Sequence, residues 1–282
     1  MTFISLLCLL IILTGLGGFL VGLDRRITAR LQGRMGPPLL QPFYDLAKLW
    51  GKESLYTNRR QVFYLYGYVL WMAVSLWLLL EGHDFLVFVF ALAFSEVCLV
   101  LAGFSTRSPY SHVGSTRELL QILAAEPVLM FMAYALYLKN GTFLTVQELT
   151  ASSPLLPSYP LLFLAVLLVL TIKMRKSPFD ISSAAHAHQE LVRGITTEFS
   201  GRYLALVEVT HWLEIVIFLF LVFMFWANPW YVGLGIALAA YLLEIVIDNV
   251  YARMNWSWMV KTSWAWGFTL SMLNILLNLT PR

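Results

Sequence analysis

The sequence predicts an all-α integral membrane protein: eight transmembrane helices plus an interfacial amphipathic helix in the first cytoplasmic loop. Three observations carry that reading. Of the 282 residues, 59% are hydrophobic and only 12% charged, against about 25% charged in a typical soluble domain. Eight apolar stretches approach or exceed the length that crosses the hydrocarbon core. The basic residues lie almost entirely in alternate connections between those stretches. Together they exclude a soluble enzyme and a disordered chain. The net charge of +3 gives no basis for nucleic-acid binding.

The spans are expected at residues 2–22, 62–80, 85–104, 119–138, 159–172, 203–226, 230–250 and 258–279. The first is too long for a signal-peptide core, lacks a basic leader and is followed by Asp24-Arg25-Arg26, so it reads as a retained helix. Gly15, Gly18 and Gly22 in and at the end of it suit close helix packing. The fifth span is the shortest, and extension through Lys173 by snorkelling is expected. Seventeen of the 19 Lys and Arg residues fall after spans one, three, five and seven, leaving Lys139 and Arg282 on the other side. This places both termini outside the cell membrane and the long loops in the cytoplasm. The chain is read as a single transmembrane domain, residues 1–282, without an inverted repeat of the kind that builds many transporters. Cys8 and Cys98 both sit in apolar runs, which offers neither a disulfide framework nor a cluster-binding motif.

Two cytoplasmic loops, at about 23–61 and 173–202, are the expected partner-docking and chamber region. In the first, Leu39, Phe43, Leu46 and Trp50 recur at helical spacing while Asp45, Lys48 and Lys52 face elsewhere, an amphipathic pattern suited to the membrane interface or to packing on the bundle. The second concentrates Lys173, Arg175, Lys176, Asp180, His186, His188, Glu190, Arg193, Glu198 and Arg202. His186-Ala187-His188 lacks a third ligand, so no metal site is assigned.

Carboxylates at membrane depth form the other pattern. Each costs on the order of +2.5 to +3.5 kcal/mol on insertion scales, so it is kept for ion movement or paired across the bundle. Glu96 lies in the third span, Glu126 immediately before Pro127 in the fourth, and Glu208, His211 and Glu214 follow each other at intervals of three in the sixth. Glu244 and Asp248 share a face of the seventh. An ion path is the favoured reading for Glu126 and for Glu208, His211 and Glu214. For Glu96 both readings stay open, and for Asp248 the structural one is preferred.

At the two loops the chain resembles a known family. Asp24-Arg25-Arg26, Gln32-Gly33-Arg34-Met35-Gly36-Pro37 and the stretch Leu40-Gln41-Pro42-Phe43-Tyr44-Asp45-Leu46-Ala47-Lys48-Leu49 are similar to the first cytoplasmic loop of complex I subunit 1. Ser177-Pro178-Phe179-Asp180, Glu190-Leu191-Val192-Arg193-Gly194 and Thr197-Glu198-Phe199-Ser200-Gly201 resemble its second signature loop, and Arg117 with Glu126 match its fourth span. Lys173 stands where quinone-reducing members usually carry an acid, and Ser182, Ser183, Ala184 and Ala185 stand where they carry further carboxylates. That pattern looks closer to the membrane anchor of energy-converting nickel–iron hydrogenases, with the formate hydrogenlyase anchor related. The resemblance implies a non-catalytic subunit without its own cofactors. The nickel–iron centre and iron–sulfur clusters would lie in partners: hydrogenase small and large subunits, a ferredoxin-like iron–sulfur subunit and an antiporter-like membrane subunit. The implied ion path is Glu96, Glu126, Glu190, Glu198, Glu208, His211, Glu214 and Glu244. The implied coupling and docking residues are Arg25, Arg26, Arg34, Asp45, Arg117, Asp180, His186, His188 and Arg193. A quinone-chamber subunit and a free-standing transporter are the competing expectations.

Overall fold

A computed structural model describes residues 3–56, 58–151, 153–179, 193–252 and 254–279. Asp180, His186, His188 and Glu190 lie outside the described residues. Those described are helical, and the β-pairing among them is a single bridge between Asp84 and Leu144. The helices are α1 (Phe3–Leu31), α2 (Gln41–Gly51), α3 (Arg59–Leu80), α4 (Phe85–Phe104), α5 (Pro109–Asn140), α6 (Thr145–Thr150), α7 (Pro160–Lys173), α8 (Gly201–Met224), α9 (Trp230–Val250), α10 (Trp256–Thr262) and α11 (Thr269–Leu279). A π-helical turn, Ser263–Phe268, joins the last two.

Six helices (α1, α3, α4, α5, α8 and α9) are long and apolar enough to cross a membrane. α7 is apolar but has 14 residues, or about 21 Å at 1.5 Å per residue. The expected eighth span is the α10–π–α11 run. Boundaries agree closely at α3, α4, α7, α8 and α9. Two helices are longer than expected at their polar ends. α1 continues through Asp24-Arg25-Arg26 to Leu31, and α5 begins ten residues early at Pro109. Hydropathy marks where a helix enters an apolar layer, whereas hydrogen bonding lets it run on until a cap or glycine stops it.

Connections alternate between two ends. At the end holding most basic residues, Ser200 Oγ accepts from Leu55 N–H and donates to the Leu55 carbonyl, each at 2.9 Å. Gln61 Nε2 donates to the Glu198 carbonyl at 3.3 Å, and Asn58 to that of Ser105 at 3.2 Å. Gly201, at φ +51°, lies so close to the Lys52 and Glu53 carbonyls that a Cβ there has no room. The described parts of the two signature loops therefore pack against each other. At the opposite end, Lys139 Nζ reaches both oxygens of buried Glu148, at 2.7 and 2.9 Å.

α2 lies against α8 and α1. Pro42 is buried, and Phe43, Leu46 and Leu49 face inward to various degrees, while Trp50 is exposed. The inner stripe thus runs through Leu49 instead of Trp50, because packing on α8 sets the buried face. On α1, Gly17 and Gly18 lie directly against Trp212, and Gly22 against the Leu39 carbonyl, whereas Gly15 borders open space. The small-residue stripe is real at Gly18 and Gly22 and begins at Gly17 instead of Gly15.

Candidate functional site: a buried ion-pair hub

Helix α7 ends at Lys173, and the next residues turn back because Arg175 adopts a left-handed conformation, φ +52°. That reversal sends successive side chains to different helices. The Lys173 ammonium forms a buried hydrogen-bonded ion pair with Glu96 of α4. Arg175 donates to Glu118 of α5 at 3.0 Å and lies 3.8 Å from Glu214 of α8. Lys176 lies 3.0 Å from Asp24 of α1 and 5.2 Å from the centre of the Tyr241 ring of α9. The Ser177 N–H donates to Asp248 of α9 at 2.9 Å. Four residues within the stretch 173–177 therefore engage acidic side chains of five helices. Gln121 Nε2 then holds the Phe179 carbonyl at 3.0 Å, and Met254 N–H that of Pro178 at 2.8 Å.

Lys173 is 6% exposed, Glu96 2%, Glu118 3% and Glu214 1%. Lys173 thus points inward to Glu96 and does not snorkel. A buried carboxylate lowers the energy of an inward ammonium by more than the membrane surface does from this depth. Burial alone lowers the pKa of Arg175, but the Glu118 and Glu214 carboxylates raise it above the ordinary guanidinium value, so it remains a cation. His211 Nδ1 lies 3.1 Å from Glu214 Oε2, the same oxygen that faces Arg175. Contacts run unbroken from Glu118 through Arg175 and Glu214 to His211. Lys173 and Arg175 together face three carboxylates, Glu96, Glu118 and Glu214.

The expected ladder on α8 divides. Steps of three residues turn the helix by about 60° each, so Glu208 stands about 120° around the helix from Glu214, away from the hub. It lines a cleft of about 520 Å³ with Arg25, Asp45, Lys48, Lys52, Arg193 and Trp212. In that region Arg25 donates to Asp45 at 2.8 Å, and Gln41 donates to the other Asp45 oxygen at 3.0 Å. Trp212, which lines the cleft, packs edge-on against Phe43, ring centres 5.3 Å apart. Glu244 of α9 is 1% exposed and accepts from Thr171 at 2.9 Å. Glu126 is half-buried, and among the described residues it has no hydrogen-bond or ion-pair partner.

Arg26, Arg34 and Arg117 are exposed, Arg34 donates to Gln32, and Glu198 stands in the packed loop unit. The residue next to Arg117, Glu118, is the buried one. Sequence reading missed Glu118, and it treated Lys173, Arg175 and Lys176 as loop charges. A signal for Glu118 existed: Ser111, Ser115, Glu118, Gln121 and Ala125 repeat at helical spacing and are all buried. Among the described residues no three His, Cys, Asp or Glu side chains gather as a metal site.

Comparison with known proteins agrees with this architecture. A family model described as NADH dehydrogenase matches residues 4–279. Hydrogenase-4 component C of Escherichia coli K12 is 33% identical over 70% of this chain and 67% of its own length. Formate hydrogenlyase subunit 4 of the same organism is 26% identical over 93% and 94%. An NADH-quinone oxidoreductase subunit from Syntrophotalea carbinolica is 24% identical over 93% and 90%. A chain of the membrane-bound sulfane sulfur reductase, an archaeal respiratory membrane complex, superposes with a TM-score of 0.88 at 24% identity, covering 98% of this chain and 99% of that one. With a family model matching nearly its whole length and relatives in both kinds of complex, this chain belongs to the NADH dehydrogenase family, as a membrane subunit of the kind found in complex I-like and hydrogenase complexes.

Proposed function

We propose that this chain is the membrane-anchoring and redox-to-ion coupling subunit of an energy-converting, membrane-bound nickel–iron hydrogenase. The observation that carries the reading is the hub at residues 173–177, where Lys173 and Arg175 reach into the bundle to Glu96, Glu118 and Glu214. A redox partner seated on the two packed loops would act on those carboxylates through five residues. Likeness to hydrogenase-4 component C supports the hydrogenase assignment. In this reading α7 and the α10–π–α11 run complete eight spans, α2 lies in the membrane interface, and both termini face outward. Hydrogenase small and large subunits and a ferredoxin-like iron–sulfur subunit carry the nickel–iron centre and the clusters.

Glu126 identifies the side on which ions leave. On α5 it shares a stripe with exposed Leu119, Leu123, Tyr134 and Tyr137. A carboxylate facing lipid at that depth is costly, so an antiporter-like membrane subunit covers this stripe and offers Glu126 a polar partner. The path comprises Glu96, Glu126, Glu190, Glu198, Glu208, His211, Glu214 and Glu244. Arg25, Arg26, Arg34, Asp45, Arg117, Asp180, His186, His188 and Arg193 serve docking and coupling.

Purification in mild detergent tests the assignment. Nickel, iron–sulfur clusters and hydrogen evolution from reduced ferredoxin are expected. Quinone reduction without nickel would instead establish a quinone-chamber subunit, which the charged cleft beside Trp212 and the likeness to the NADH-quinone oxidoreductase relative support. The variant Glu126→Gln is expected to assemble normally and to lose ion transport, read as cation uptake into vesicles. Undiminished uptake removes Glu126 from the path.

A further inference from the structure

We infer that Tyr68 holds a bound-water site that joins Glu96 to the Glu118–Arg175–Glu214 group. The inference rests on the ion path proposed above and adds a residue to it. Tyr68 lies on α3 and is fully buried, and among the described residues its hydroxyl has no hydrogen-bond partner. Ser95 Oγ donates to the Tyr68 carbonyl at 2.8 Å, which fixes Tyr68 at the level of Ser95 and Glu96 on the neighbouring helix. Three more buried oxygens in this part of the bundle also lack partners among the described residues: Glu96 Oε1, Glu118 Oε2 and Ser115 Oγ. Tyr68 also lies within electrostatic range of Glu214, Arg175, Glu118 and Glu96.

An orphaned buried hydroxyl or carboxylate oxygen costs about 1–3 kcal/mol. Four of them on three adjoining helices describe the kind of polar site that ordered water occupies, each water making about three hydrogen bonds. The carboxylates accept and the phenol both donates and accepts. Water held by Tyr68 therefore extends the contact chain from Glu118, Arg175, Glu214 and His211 to the Lys173–Glu96 pair. The ligand is water, and Tyr68 is a positioning residue.

The test uses the assembled complex and the variant Tyr68→Phe, which keeps the ring that fills the core and removes only the oxygen. High-resolution electron cryo-microscopy of the native complex should show water within hydrogen-bond distance of Tyr68 Oη and of a Glu96 or Glu118 oxygen. In Tyr68→Phe that density should be lost. Cation uptake into vesicles should fall about tenfold, the scale of one hydrogen bond lost along the path, with subunit composition unchanged. A dry site in the native complex overturns the inference, as does a Tyr68→Phe complex that keeps both water and the native uptake rate. Glu96→Gln is measured alongside. Normal uptake in that variant counts against the ion path, whereas the cryo-microscopy density decides the water site independently.

Discussion

Lys173 and Arg175 reach carboxylates by different chemistry. Lys173 meets Glu96 as a point charge, whereas a single terminal nitrogen of Arg175, Nη2, lies against both Glu118 and Glu214. Removing one partner of a buried pair leaves an uncompensated charge, a loss of about 3–5 kcal/mol. Lys173→Met is therefore expected to lower the thermal stability of the purified complex strongly. Lys173→Met with Glu96→Leu should regain most of it, since an apolar pair of similar volume is often neutral. A double variant no more stable than Lys173→Met would show that the pair is not the source of the loss. Arg175→Lys keeps the charge but loses the planar guanidinium and the length that brings one nitrogen to both carboxylates. Its expected signature is normal assembly with reduced cation uptake per hydrogen evolved, measured in vesicles. An unchanged ratio would mean that the guanidinium is dispensable.

At the level of helices, α1 supplies a controlled comparison. A Cβ at Gly17 would meet the Trp212 backbone, whereas one at Gly15 would meet nothing. Ala is favoured over Gly inside a helix by roughly 0.5–1 kcal/mol. Gly15→Ala should hold or slightly raise the melting temperature, and Gly17→Ala should lower it by prising α1 from α8. Equal shifts would show that α1 does not pack there. The same helix illustrates what sequence conveys. Apolar runs locate α3, α4, α7, α8 and α9 to within three residues at each end, because lipid imposes a length on each. The continuation of α1 to Leu31 is hidden, since polar residues in a helix and in a loop look alike without hydropathy. Loop motifs point to the hub's neighbourhood, and Glu96, His211 and Glu214 stand out by their depth in apolar runs. Their partners do not, because Glu118 and Arg175 are 57 positions apart in the chain, and pairing at that range leaves no periodic trace. Which face of α2 turns inward is likewise decided by Trp212 and α8, outside the segment itself.

For the molecule as a whole, the distribution of basic residues makes orientation testable. In a Cys8→Ser background, which removes the exposed thiol and leaves buried Cys98, Ser153→Cys should react with an impermeant maleimide in intact cells. Met35→Cys, at a position that is 89% exposed at the opposite end, should react only after the membrane is opened. The reverse pattern would invert the topology. The left-handed turn at Arg175 gives this layout its mechanical character. One short stretch of backbone touches α1, α4, α5, α8 and α9 at once, and its non-glycine residue stays in an uncommon conformation costing of order 1–3 kcal/mol only while surrounding contacts over-determine it. Release of any single arm removes part of what holds the others, so the arrangement should let go cooperatively, in the manner of a latch, rather than yield by degrees.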